Sequence, residues 1–180
     1  MVLNKTNMEK QSLQQQLVKE HSTFTDYVLS LSEADFNFAP PEKWNAGQHL
    51  QHILISVSRL NGAICNPKYI QSITEMEPKR ALMSYDALVN VYLDRIKKGA
   101  KATAPFVPEL VTVAQRPQLV KDVQAAVAEL CLKLDTYDEK QLDEFTMPHP
   151  LLLRLSLREM IYFTIKHAAH HYELTKQYIV

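Results

Sequence analysis

The sequence predicts an all-α protein, a four-helix bundle with long connections and one extra short helical or irregular segment. Three observations predict it. Apolar residues recur at spacings of three and four through most of the chain. Only 3 of the 180 residues are glycine. The 9 prolines gather between the periodic stretches, not inside them, where they would break a helix. A chain of 180 residues suits a single domain over 1–180 and can bury a sizeable core.

The first helix is read from about Asn7 to Leu31, with Leu13, Leu17, Phe24, Val28 and Leu31 on one face. Phe36 to Trp44, containing Pro40 and Pro41, reads as a connection. A second helix opens at Asn45, whose side chain can cap it, with Gln48 three residues on as the other half of a capping box. It runs to about Ile64 on Leu50, Ile53, Leu54, Val57 and Leu60, and Pro67 marks its end region. A loop containing Pro78 follows. Ser84 then caps a third helix carrying Leu88, Tyr92 and Ile96, and Gly99 ends it. Residues 102–115, with Pro105 and Pro108, form the longest irregular stretch and so a candidate lid or wall for a site. Pro117 fits the first turn of a fourth helix whose stripe is Leu119, Val123, Ala126, Leu130 and Leu134. Residues 138–155 return to a proline-marked connection, Met147-Pro148-His149-Pro150. The last helix opens with a second capping box, Ser156 and Glu159, and continues to about Tyr178.

Lys+Arg and Asp+Glu each total 20, and no long block of one sign occurs. Neither nucleic acid nor an anionic membrane is therefore an expected partner. No apolar run approaches the roughly 18 residues of a membrane span, and residues 1–30 do not read as a signal peptide. Cys65 and Cys131 sit in apolar helical contexts and read as buried free thiols. A cytoplasmic protein is expected.

The last helix carries the functional signal. Its inward positions are Met160, Thr164, His167, His171, Leu174 and Tyr178, so two histidines stand one turn apart on the core-facing seam. Residues at i and i+4 share a helix face, and both imidazoles can address one centre. A lone histidine on an apolar face is more often a core residue with a hydrogen-bond partner than a ligand. Clustered buried imidazoles without partners, however, each cost about 1–3 kcal/mol, which a shared cation removes. In the second helix, His52 lies beside the stripe, and His49, three residues earlier, is close to the same face. Spacing leaves both open as a third ligand. His170 lies one position round from the seam as a partner to the ligands or a boundary residue. His149, between prolines, reads as structural, and His21 as surface-exposed.

The stretch Trp44-Asn45-Ala46-Gly47-Gln48-His49-Leu50-Gln51-His52-Ile53, the segment His149-Pro150-Leu151-Leu152 through Leu157-Arg158-Glu159, and His167-Ala168-Ala169-His170-His171 occur in that order. Together they resemble the three signature segments of the DinB/YfiT-like superfamily. The resemblance implies a four-helix bundle and a divalent metal held by three histidines, which by motif position are His52, His167 and His171. It also implies a reaction class: characterised members are thiol S-transferases using bacillithiol, mycothiol or glutathione, or metal-dependent isomerases and hydrolases. Two positions depart from the pattern. Leu153 stands where many members have glycine, which bears on the loop, and Leu174 stands where a glutamine often follows the last histidine.

Three neutral imidazoles leave the charge of a dication intact and at least one position open, the arrangement of catalytic rather than structural sites. Zinc is the first expectation for the cation and nickel the second, since ligand type alone does not select. In H-E-x-x-H proteases a glutamate follows the first histidine as general base; here that place is Ala168. Glu173 lies about 200° round the helix from His171 and points away. The cation itself must then activate the nucleophile, with His170 and Gln48 as catalytic helpers. Proton competition for ordinary imidazoles would release the metal as pH falls through about 6.

The reading is a metal-dependent enzyme with a small-molecule substrate, either a thiol S-transferase with a low-molecular-weight thiol as cosubstrate or a hydrolase. The alternative is a non-catalytic metal-binding or dimerising bundle whose site is structural or vestigial. A homodimer is compatible with either.

Overall fold

The computed structural model describes residues 8–75 and 81–179. Four long helices make the bundle: α1 (Lys10–Ser30), α3 (Ala46–Ala63), α6 (Arg116–Leu134) and α8 (Leu157–Tyr178). In the bundle α1 packs between α6 and α8, and α3 closes the ring against the same two helices. A fifth helix, α5 (Tyr85–Lys97), lies on α8. The expected bundle is therefore present. Its core is the set of stripes read from the sequence: Leu13, Leu17, Phe24 and Val28 meet Leu50, Ile53, Val57, Val123 and Leu130, all buried.

The expected caps form. Asn45 accepts from Gln48 N at 2.8 Å while the Gln48 carboxamide accepts from Asn45 N at 3.1 Å. Ser156 and Glu159 make the same reciprocal pair at the start of α8. Gly99, at φ 88°, ends α5 with Gly99 N bonded to Ile96 O and Ala100 N to Arg95 O, so the left-handed turn that glycine tolerates satisfies two carbonyls. In α3, Gly47 is required by packing. A Cβ there would lie 2.7 Å from the Phe36 ring and 2.9 Å from Val111 Cβ.

The connections hold more structure than their composition suggests. Asn7, the expected start of the first helix, lies outside the described residues, and α1 begins at Lys10. Ser32 caps a short helix, α2 (Glu33–Asn37), whose Phe36 is fully buried. The region read as a loop before Ser84 contains α4 (Pro67–Glu75). There Pro67 takes the first turn and Asn66 Oδ1 accepts from Lys68 N and Tyr69 N. Residues 138–155 hold α7 (Glu139–Glu144) and an antiparallel hairpin of β1 (Thr146–His149) and β2 (Leu153–Ser156), in which Pro148 faces Arg154. Leu153, at the position where the family resemblance leads one to expect glycine, adopts φ 65°. The loop thus keeps the conformation a glycine would take, and the leucine bears a strain of about 1–2 kcal/mol.

Two sequence expectations fail on burial. Cys65 is exposed, because it follows the C-terminal turn of α3 instead of lying inside the helix, while Cys131 is half-buried; both are free thiols. His21 is buried, not exposed. It fills the seven-residue gap between Leu17 and Phe24 on the apolar face of α1, four residues after Leu17. Its Nδ1–H donates to Leu17 O at 2.7 Å, and burial lowers its pKa to about 4.

Candidate metal centre

α3 and α8 run side by side, and their seams bring His52, His167 and His171 together. His167 Nε2 lies 3.0 Å from His52 Nε2 and 3.1 Å from His171 Nε2. The three donor atoms all fall within 4.8 Å of one another. Nitrogens bound at 2.0–2.1 Å to one ion stand about 3.0–3.4 Å apart, so the spacing suits a shared cation.

The tautomers support the same fit. His52 Nδ1 is 2.6 Å from Phe106 O, and a carbonyl only accepts, so Nδ1 carries the proton and Nε2 presents a bare lone pair to the centre. His171 Nδ1 is 2.8 Å from His49 Nδ1. With the proton on His171, its Nε2 is bare as well. Two lone pairs then converge on His167 Nε2, an arrangement that a cation between them resolves. The donor set, three neutral nitrogens from two rigid helices, could hold a divalent metal.

Aromatic rings fix the imidazoles on their other faces. Trp44 stacks on His171 and lies 5.0 Å from the His52 ring, while Phe163 stacks on His167 at 4.8 Å. Tyr92 stands edge-on to Phe163, His167 and His170. Burial is the main cause that lowers every histidine pKa here. His167 and His171 fall well below the ordinary value, His49 drops to about 3, and the bond to Phe106 offsets part of the effect at His52. The imidazoles are therefore neutral at pH 7 and ready to ligate. Proton competition for them begins below the pH of about 6 expected for ordinary histidines.

The remaining sequence candidates separate clearly. His49 sits against the centre, but its Nδ1 faces His171 Nδ1, and it is not among the three histidines whose donor atoms converge. His170 is half-buried on the cavity wall, 5.6 Å from the Tyr92 ring. The Gln48 carboxamide closes the helix cap by accepting from Asn45 N. His149 Nδ1 accepts from Leu151 N and Leu152 N and holds the hairpin turn, and the residue also lines the cavity. Its ring also packs edge-on to Phe163. Glu173 is exposed and points away.

The centre forms one wall of a cavity of about 900 Å³. Ala102, Thr103, Phe106 and Val107 line it, so the first part of the irregular stretch 102–115 is a wall, while residues 108–115 do not border the cavity. Leu174 lines it too, at the position where the family resemblance leads one to expect glutamine. Sequence reasoning missed three contributors: Phe163, which is four residues before His167 on the same face and was legible by periodicity, Tyr92, and the backbone carbonyl of Phe106. No sequence pattern marks a carbonyl supplied by a loop more than fifty residues from its histidine.

Fold and site together define a helical bundle with a buried three-histidine cluster at the side of a cavity. The chain belongs to the DinB superfamily, whose sequence pattern matches residues 16–175. A comparison with curated proteins finds no match. Among the described residues no helix is long and apolar enough to cross a membrane.

Proposed function

We propose that the protein is a metal-dependent enzyme acting on a small molecule, either by transferring a thiol to an electrophile or by hydrolysis. The convergence of His52, His167 and His171 on the wall of a 900 Å³ cavity carries this reading. A cation needed only for stability has no use for such a space beside it. A divalent cation there, zinc first and nickel second, would supply a Lewis acid and an open position at which a water or thiol loses its proton more readily.

The chain's own residues do the rest. Burial keeps the three imidazoles neutral and their lone pairs available. The Phe106 carbonyl and His49 orient two of them, as partners of ligands commonly do. Trp44 and Phe163 cover the flanks of the imidazoles. His170, neutral and on the wall, is placed to accept a proton from a bound substrate.

Protein purified and supplemented with zinc near pH 8 is expected to hold about one metal per chain, and a His167→Ala/His171→Ala variant far less. Substoichiometric metal in both overturns the proposal. With the loaded protein, a chromogenic aryl halide plus a thiol and a p-nitrophenyl ester separate the two reactions. Activity that survives chelation, or the absence of both activities, reduces the site to a structural one.

A further inference from the structure

Arg59 is held in an unusual way for an exposed arginine. Its Nε donates to Pro105 O at 3.2 Å, and its guanidinium lies over the Phe106 ring at 5.2 Å. Among the described residues no carboxylate pairs with it, so its two terminal nitrogens keep their donors. The short 3-10 turn Ala104–Phe106 therefore braces two groups at once. The Phe106 carbonyl sets His52, while the Phe106 ring and the Pro105 carbonyl set Arg59.

His52, Ser56 and Arg59 also follow one another at spacings of four and three along α3, and all three line the cavity. Two turns of helix place the Arg59 backbone about 10 Å from that of His52. The chain as a whole is neutral, but the cavity lining is not. Lys43, Arg59 and Lys101 border it against a single carboxylate, Glu42. Phe106, whose carbonyl meets His52 and whose ring meets Arg59, supplies apolar wall between the two. A pre-oriented, unpaired guanidinium recognises a carboxylate through two parallel hydrogen bonds.

We infer that the cavity takes a small organic carboxylate, its anionic end on Arg59 and its apolar body running along α3 toward the three-histidine centre. The inference rests on reading the cavity as a substrate site and names the class of substrate, but it does not depend on which cation is bound.

Trp44 is the only tryptophan and lines the cavity, so its fluorescence reports occupancy directly. Metal-free protein is titrated with octanoate, whose chain matches the distance, and with 1-octanol as its neutral counterpart. Octanoate is expected to bind about tenfold more tightly than octanol, because hydrogen bonds to charged groups are worth that much or more. Arg59→Gln should bring octanoate down to the level of octanol while leaving octanol unchanged. Equal binding of the two ligands by the wild-type protein overturns the inference. So does a preference that survives Arg59→Gln and disappears instead in Lys43→Gln or Lys101→Gln.

A second arm uses cobalt-loaded protein with 8-mercaptooctanoate and 8-mercapto-1-octanol. The carboxylate is expected to add about the same factor there, again lost in Arg59→Gln. If neither thiol perturbs the cobalt spectrum while the metal-free preference for octanoate stands, the metal-dependent reading falls and the anion site survives.

Discussion

At the start of α8, Arg158 and Glu159 are almost fully buried, and the protein itself answers their charges. Arg158 pairs with Asp143, with Glu139 at 2.6 Å and with the Met8 carbonyl; Glu159 accepts from Met83 N and Ser156 N, each at 2.7 Å. Farther along the same helix, His167 and His171 are buried nearly as deeply, yet their Nε2 atoms face only other imidazoles. The first region is a finished network that joins α7, α8 and the residues before α1. The second gathers three imidazole nitrogens that could hold a divalent cation. Burial alone does not distinguish a structural polar cluster from a functional one; what separates them is whether donors and acceptors balance within the chain.

The largest expected effect breaks the finished network. Arg158→Ala leaves Asp143 without its cation, Glu139 with Lys10 alone, and the Met8 carbonyl without its donor. Removing one partner of a buried pair costs about 3–5 kcal/mol, and the partial exposure of both carboxylates places this variant toward the lower end. Urea unfolding should show that loss while metal stoichiometry in the folded protein stays the same. A variant that keeps its stability, or that folds but no longer holds metal, would erase the distinction between the two halves of α8.

A smaller effect sharpens the other half. His49 accepts, on the tautomer argued above, the proton of His171 Nδ1, and its ring packs against Trp44 and Tyr178. His49→Phe keeps the ring packing and removes the acceptor. Losses of about 10–100-fold in metal affinity follow removal of such a partner. Competition with a chromogenic chelator measures it, and His49→Gln should recover part of the loss because its carboxamide oxygen can accept. Equal affinity in wild type and His49→Phe would make His49 a packing residue only.

The four long helices and both histidines of α8 were legible because periodicity and caps are local. Asn45, Ser84 and Ser156 cap where their sequence context says they should. His52 needed motif order, since no local spacing separates it from His49. The hairpin at 146–156 was hidden because its prolines resemble loop punctuation, and Pro148 is tolerated in a two-stranded ribbon where few ladder bonds are at stake. α4 did carry its signal in Asn66-Pro67, but Pro67 was assigned to the end of the preceding helix. The brace from Phe106 to His52 depends on how a loop folds back over a helix, which periodicity does not encode.

The smallest effect concerns a third kind of buried polarity, a histidine with one ring nitrogen paired and the other, Nε2, without a partner among the described residues. His21 is buried on α1, and its positive charge would oppose that of His167. Its pKa is about 4 in the folded chain against 6.5 unfolded. Above pH 6.5 both states are neutral and the residue has no influence on pH dependence. Below it the unfolded chain takes up the proton first. Stability is then lost as pH falls from 6.5 toward 4, at about 1.4 kcal/mol per pH unit from this residue. His21→Leu removes that slope. His149, whose pKa is also lowered to about 4, stays in both proteins, so the difference between them isolates His21. Metal-free wild type and variant, unfolded in urea between pH 7 and pH 5, should diverge by about 2 kcal/mol in favour of the leucine. Parallel profiles would mean that the imidazole protonates in place without disturbing the bundle, and that α1 tolerates a charge beside the histidine cluster.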